Sequence, residues 1–131
     1  MTGFAVSLPY PPSVNRLWRH VHTKGGCRTY KTDEARRFEA TAFLLTKRAI
    51  MATERQMIPT PPYEVSIEVW RPDKRRRDID NVVKAAIDAV FLAMGRDDAW
   101  VDRLTVWRGE TWIDKTDPRC IVWVSGKDDA G

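Results

Sequence analysis

The sequence predicts an α/β (α+β) fold: a small mixed β-sheet packed by two helices in the order β-α-β-α-β-β. Three observations carry this. Val65, Ile67 and Val69 alternate with Glu64, Ser66 and Glu68, the period of a half-buried strand. Ala35, Phe38, Ala42, Leu45 and Ala49 recur at three- and four-residue steps, the stripe of an amphipathic helix. A second helical stripe, Val83, Ile87, Val90 and Met94, follows in the segment Asp80 to Met94. Helices between strands point to a sheet covered by helices.

In chain order, Phe4 to Leu8 reads as a short strand that Pro11, Pro12 and Ser13 stop. A polar loop is expected from there to about Thr32, with Gly25-Gly26 at its middle. It carries Arg16, Arg19, Lys24, Arg28 and Lys31 and no acidic residue. The first helix starts at Asp33, and Pro59 to Pro62 mark the turn before the alternating strand. Gly95 is the expected stop of the second helix. Strands over Trp100 to Trp112 and Cys120 to Val124 complete the order, with Pro118 in the turn between them.

The 131 residues, 43% of them hydrophobic and six of them tryptophan, suit one domain spanning 1–131. No apolar run approaches the roughly 20 residues of a membrane-spanning helix, and no signal-peptide pattern opens the chain, so a cytoplasmic protein with no membrane partner is expected. Cys27 and Cys120 are far apart and belong to no CxxC motif, which argues against a disulfide scaffold and a structural zinc site. His20 and His22 form an H-x-H pair without a third ligand nearby in sequence, so a loop contact to DNA is the better expectation there. Trp18 and Tyr30 suit either stacking on unpaired bases or core packing.

The chemistry concentrates between Arg71 and Asp98. Lys74, Arg75, Arg76 and Arg77 are four consecutive positive charges, and the net charge of +4 agrees with a polyanionic partner. Such a run clamps a nucleic-acid backbone by displacing its counterions. Asp78 and Asp80 follow at once. Carboxylates beside phosphate repel it unless a cation lies between, and Mg²⁺ prefers a few carboxylates with water and phosphate oxygens. Asp80, Lys84 and Asp88 succeed one another at four-residue steps, one face of a helix, and Lys84 is placed to orient a phosphate or stabilise a leaving oxygen. Each residue alone has a plainer reading. Asp78 or Asp80 could cap the helix, Asp97-Asp98 could be a polar turn, Lys84 an exposed ion pair and the arginine run a solvated face. Their joint occurrence favours a metal-assisted phosphodiesterase.

These residues resemble a known family. The run from Arg75 through Asp78, Asp80 and Lys84, then Asp88-Ala-Val and Asp97-Asp98-Ala, is similar to that of the RusA family of Holliday junction resolvases. The stretch Leu8-Pro-Tyr-Pro-Pro-Ser-Val-Asn-Arg16 resembles that family's opening signature. The resemblance implies a homodimer that uses Mg²⁺, with Mn²⁺ able to substitute, to cut four-way DNA junctions symmetrically, in bacteria or their prophages. By position it implies catalytic and metal-binding carboxylates at Asp78, Asp80 and Asp98 and a catalytic lysine at Lys84. The segment before Asp97 is slightly shorter than the family pattern, which keeps Asp97 as the alternative ligand. DNA contacts are expected from Asn15, Arg16, Lys74, Arg75, Arg76 and Arg77. A dimer interface is expected near the doubly apolar strand Cys120 to Val124 or the first helix. The alternatives are a non-catalytic branched-DNA binder and a flap or single-strand nuclease.

Overall fold

The computed structural model describes residues 2–13, 17–75 and 78–126, without the side chains of 110–112. Its elements are β1 (Gly3–Pro9), β2 (Trp18–Thr23), β3 (Gly26–Lys31), α1 (Asp33–Met51), β4 (Tyr63–Arg71), α2 (Val83–Met94), β5 (Val101–Ile113) and β6 (Arg119–Gly126). Four strands form one sheet in the order β1-β6-β4-β5, with β4 and β5 parallel and the other neighbours antiparallel.

Strict alternation sets the faces of this sheet. Phe4, Val124 and Val65 fall in one row, then Val6, Val122 and Ile67, then Leu8, Cys120 and Val69, and all nine are buried. Ala35, Phe38, Ala42 and Thr46 of α1 and Ala85, Ala86, Ala89, Val90 and Phe91 of α2 belong to the same buried layer. Both helices therefore cover one face. The apolar character of Cys120 to Val124 is explained by position, because β6 is central and paired on both sides. Its outward residue Trp123 stacks on Trp107 of β5 across the intervening strand, with ring centroids 5.6 Å apart.

Three expectations change. The segment expected as a polar loop contains the antiparallel β2–β3 hairpin, so two strands precede α1. Every strand residue of the hairpin is exposed, so no apolar alternation announced it. The second helix begins at Val83 and not at Asp80, because Ile79–Val82 closes as a tighter 3₁₀ turn with Asn81 N donating to the Asp78 carbonyl at 3.1 Å. Finally, the buried face of α2 runs through its alanines, whereas Val83, Ile87 and Met94 are only half-buried. Packed closely against α1, the helix needs small residues for close approach. Only Lys84, Asp88 and Leu92, one stripe at four-residue spacing, stay exposed.

The start of α1 and the end of α2 are chemically marked. Thr32 caps α1 by accepting from Ala35 N at 3.1 Å. Gly95, at φ 67°, ends α2 in the left-handed conformation, with Gly95 N bonded to Leu92 O and Arg96 N to Phe91 O. Beyond β5, the Asp114 carboxylate accepts from Thr116 N and Asp117 N, and from Arg119 Nη1 at 3.0 Å. Those bonds hold its pKa below the usual carboxylate range, the Thr116 side-chain bond foremost. Arg119 in turn lies 4.2 Å over the Trp70 ring, whose indole fills the space beside Gly109. A Cβ on Gly109 would stand 2.3 Å from that indole. Gly109→Ala is therefore expected to cost about 1–3 kcal/mol by overpacking, read as a lower urea midpoint with an unchanged slope.

Candidate functional site

The basic turn after β4 is built on a buried guanidinium. Arg71, only 6% exposed, donates from Nη1 to the Arg75 carbonyl at 3.0 Å, and Arg75 N donates to Asp73 Oδ1 at the same distance. Asp114 N closes on the Arg71 carbonyl at 2.7 Å. Arg71 thus fixes the turn, while Lys74 and Arg75 stand exposed. Its role was not read from the sequence, where it looks like one more member of the basic run. The expected contacts Asn15, Arg16, Arg76 and Arg77 lie outside the described residues.

Asp78 and Asp80 come next, both exposed. Asp78 precedes the 3₁₀ turn in an extended conformation, and its carbonyl, not its carboxylate, supports that turn. The capping reading therefore does not hold for Asp78. Among the described residues, neither carboxylate has a hydrogen-bond or ion-pair partner. The Asp97-Asp98 pair divides differently. Asp97 Oδ1 accepts from Ala99 N at 2.9 Å and caps the turn Asp98–Trp100, whereas the Asp98 carboxylate is exposed and unpartnered among the described residues. That division favours Asp98 over Asp97 as the chemically available group.

Placement separates what the sequence puts close together. Asp78 and Asp80 lie before the N-terminus of α2, and Asp98 lies beyond its C-terminus. Twelve residues of helix span roughly 18 Å. Accordingly, no three His, Cys, Asp or Glu among the described residues gather closely enough to hold a metal ion. Lys84, in the first turn of α2, shares the end occupied by Asp78 and Asp80. Its ammonium meets Asp88 Oδ2 at 3.3 Å, an exposed pair with little hold on either partner. The expected Asp80-Lys84-Asp88 stack is reduced to this pair, because Asp80 lies in the 3₁₀ turn. At the far end, Asp88, Asp97 and Asp98 line a cavity of about 360 Å³ with Lys31, Glu39 and Arg96.

The cysteines are unpaired with each other. Cys27 is exposed on the hairpin, 3.1 Å from His22 Nδ1, and burial pushes the Cys120 thiol up to about 12, which keeps it protonated and inert.

A sequence profile of the family described as Endodeoxyribonuclease RusA matches residues 9–125, a span that contains the carboxylates and most of the opening signature. The chain belongs to the RusA family. It is 37% identical over 93 residues to the Crossover junction endodeoxyribonuclease RusA of Escherichia coli strain K12, covering 71% of each chain. The same coverage and identity hold for that of Shigella sonnei strain Ss046, and the protein of Enterobacteria phage 82 is 35% identical at the same coverage. No helix among the described residues is long and apolar enough to cross a membrane.

In this RusA chain the exposed basic turn has a direct test. Lys74→Ala and Arg75→Ala are each expected to weaken binding to every DNA sequence alike and to lower the slope of log K against log salt by about one. A salt titration by fluorescence anisotropy measures this, and an unchanged slope would remove these residues from the backbone contact.

Proposed function

We propose that this chain is a crossover junction endodeoxyribonuclease, a divalent-metal-dependent phosphodiesterase that makes paired nicks in a four-way DNA junction in the bacterial cytoplasm. One RusA-like domain over residues 1–131 carries the activity. The observation behind this reading is the pair of exposed carboxylates, Asp78 and Asp80, without partners among the described residues, which follow a turn that presents Lys74 and Arg75. A protein that only bound DNA would gain nothing from them.

The donor set suits a hard cation in part. Mg²⁺ asks a protein for one or two carboxylates and takes its remaining oxygens from water and phosphate, a demand that Asp78 and Asp80 meet; Mn²⁺ accepts the same donors. When bound, the ion supplies charge neutralisation at the phosphate and a more acidic water. The chain's own residues do the rest. Lys74 and Arg75 hold the backbone of the strand. Lys84, half-exposed and only loosely paired with Asp88, can turn toward a phosphate oxygen or the leaving oxygen and stabilise the charge developing there.

Asp98 joins this set from a second copy. A two-fold axis crossing α2 near its middle would run two such helices antiparallel and bring the Asp98 end of one chain to the Asp78 and Asp80 end of the other. Isologous pairs of this kind are the commonest soluble oligomers, and their symmetry matches the two opposed cuts a junction requires. Leu92 near the end of α2, Trp100 in the turn after it and Leu104 on β5 are exposed apolar residues that would supply a contact surface. On this reading the interface is on the side of α2 and β5 rather than on β6 or α1, because only there would the two groups of carboxylates meet.

Two experiments separate these statements. Asp80→Asn is expected to lower cleavage of a fixed four-way junction on the order of 100-fold or more, with junction binding unchanged or tighter because a repelling charge is gone. Cleavage near the wild-type rate would refute the assignment. Next, Asp80→Asn and Asp98→Asn subunits, each inactive alone, are mixed. Sites shared between chains leave one intact site in every heterodimer, so single-strand nicking returns. Sites confined to one chain leave none, and the mixture stays inactive.

A further inference from the structure

Apart from Lys31, which lines the cavity of Asp88, Asp97 and Asp98, the β2–β3 hairpin takes no part in the carboxylate sites, yet it is an expensive element to expose. It forms a sheet of its own, all its strand residues are exposed, and Thr32 N donating to Leu17 O at 3.1 Å ties its base. A lone two-stranded hairpin is marginal in water. Antiparallel register sorts its side chains onto two faces. Trp18, His20 and His22 share one with Cys27, Thr29 and Lys31; Arg19 and Val21 share the other with Arg28 and Tyr30.

On the first face the polar groups pair with one another or with α1. His20 Nδ1 lies 3.2 Å from Thr29 Oγ1, His22 Nδ1 contacts Cys27 Sγ, and Lys31 forms an ion pair with Glu39. The Trp18 ring is what remains open, 45% exposed, with Lys31 Nζ 5.6 Å from its centroid. Trp18 and Lys31 line a cleft of about 90 Å³ whose far wall is Lys84 and Asp88 of α2. From 18 to 31 the chain carries Arg19, Lys24, Arg28 and Lys31 and no acidic residue. Tyr30 lies on the opposite face, in a separate cleft with Arg19 and Arg36.

An open indole on a basic hairpin, sharing a cleft with Lys84 in which Glu39 and Asp88 balance the two lysines, has the chemistry of a nucleobase platform. Every base offers a π-face, and the charges draw in its backbone. We infer that Trp18 stacks on an unpaired base beside the phosphate that Lys84 engages, and so distinguishes a branch point from intact duplex. The inference rests on the nuclease reading above. In continuous duplex the bases already stack on one another, so Trp18 gains a partner only where that stacking is interrupted.

The test uses the full chain, a four-way junction with 2-aminopurine at the branch, and an intact duplex of the same sequence, with binding measured without divalent metal. Trp18→Leu keeps apolar bulk and removes the π-face, whereas Trp18→Phe keeps a ring. Trp18→Leu is expected to weaken junction binding roughly tenfold, to abolish the 2-aminopurine change, and to leave duplex binding unaltered; Trp18→Phe restores most of both. In cleavage with metal, KM rises more than kcat falls. The inference is overturned if Trp18→Leu binds the junction like wild type, if it weakens junction and duplex by the same factor, or if Tyr30→Leu alone removes the fluorescence change. A wild-type protein that binds the junction and never cuts it overturns the nuclease reading instead and leaves the stacking result standing.

Discussion

The parallel pairing of β4 with β5 governs the layout of this molecule. Two parallel neighbours cannot be joined by a tight turn, so the chain must return along the sheet through α2. That return separates whatever precedes the helix from whatever follows it by the helix length. Asp78, Asp80 and Lys84 collect at one end and Asp98 at the other. A set of acidic residues that looks continuous in sequence is thereby split into two groups, which the proposed two-fold symmetry would reunite.

Within each half, local bonding decides which charged groups remain available. Arg71 and Asp97 carry the same charges as their neighbours, but one is buried under the basic turn and the other caps a 3₁₀ turn. Their bonds position Lys74, Arg75 and Asp98 at the surface. Lys84 and Asp88 lie between these extremes, because an exposed ion pair is worth too little to compete with a phosphate. Structural and chemical roles thus fall on adjacent residues of the same type, and partners separate them where residue identity does not.

The hairpin adds a different resource. Its strands pair only with each other and all their residues are exposed, so its side chains are free of core duties, and register alone assigns Trp18 and Tyr30 to opposite faces. Only the Trp18 face opens toward α2. Charge acts on a polyanion along its length, whereas an aromatic ring acts over a single base, so the proposed reading of a branch rests on where that one ring is held.

By itself, the sequence determined the four-stranded core and its two helices, the turn at Pro118, the stop at Gly95, and the segment in which the chemistry lies. Those features follow from side-chain periodicity and backbone preference, which act over a few residues. The exposed hairpin escaped because strands that bury nothing leave no apolar alternation. The alanine face of α2 escaped because close packing against α1 selects it, and the 3₁₀ turn at Ile79–Val82 escaped because so short an element carries no side-chain period. For the candidate site, the types Asp78, Asp80, Lys84 and Asp98 were legible, but their grouping was not. Only the tertiary structure decided that Asp97 is spent on a turn and that Asp98 stands a helix length from Asp80, because a carboxylate's availability depends on partners and distances that the path of the chain creates.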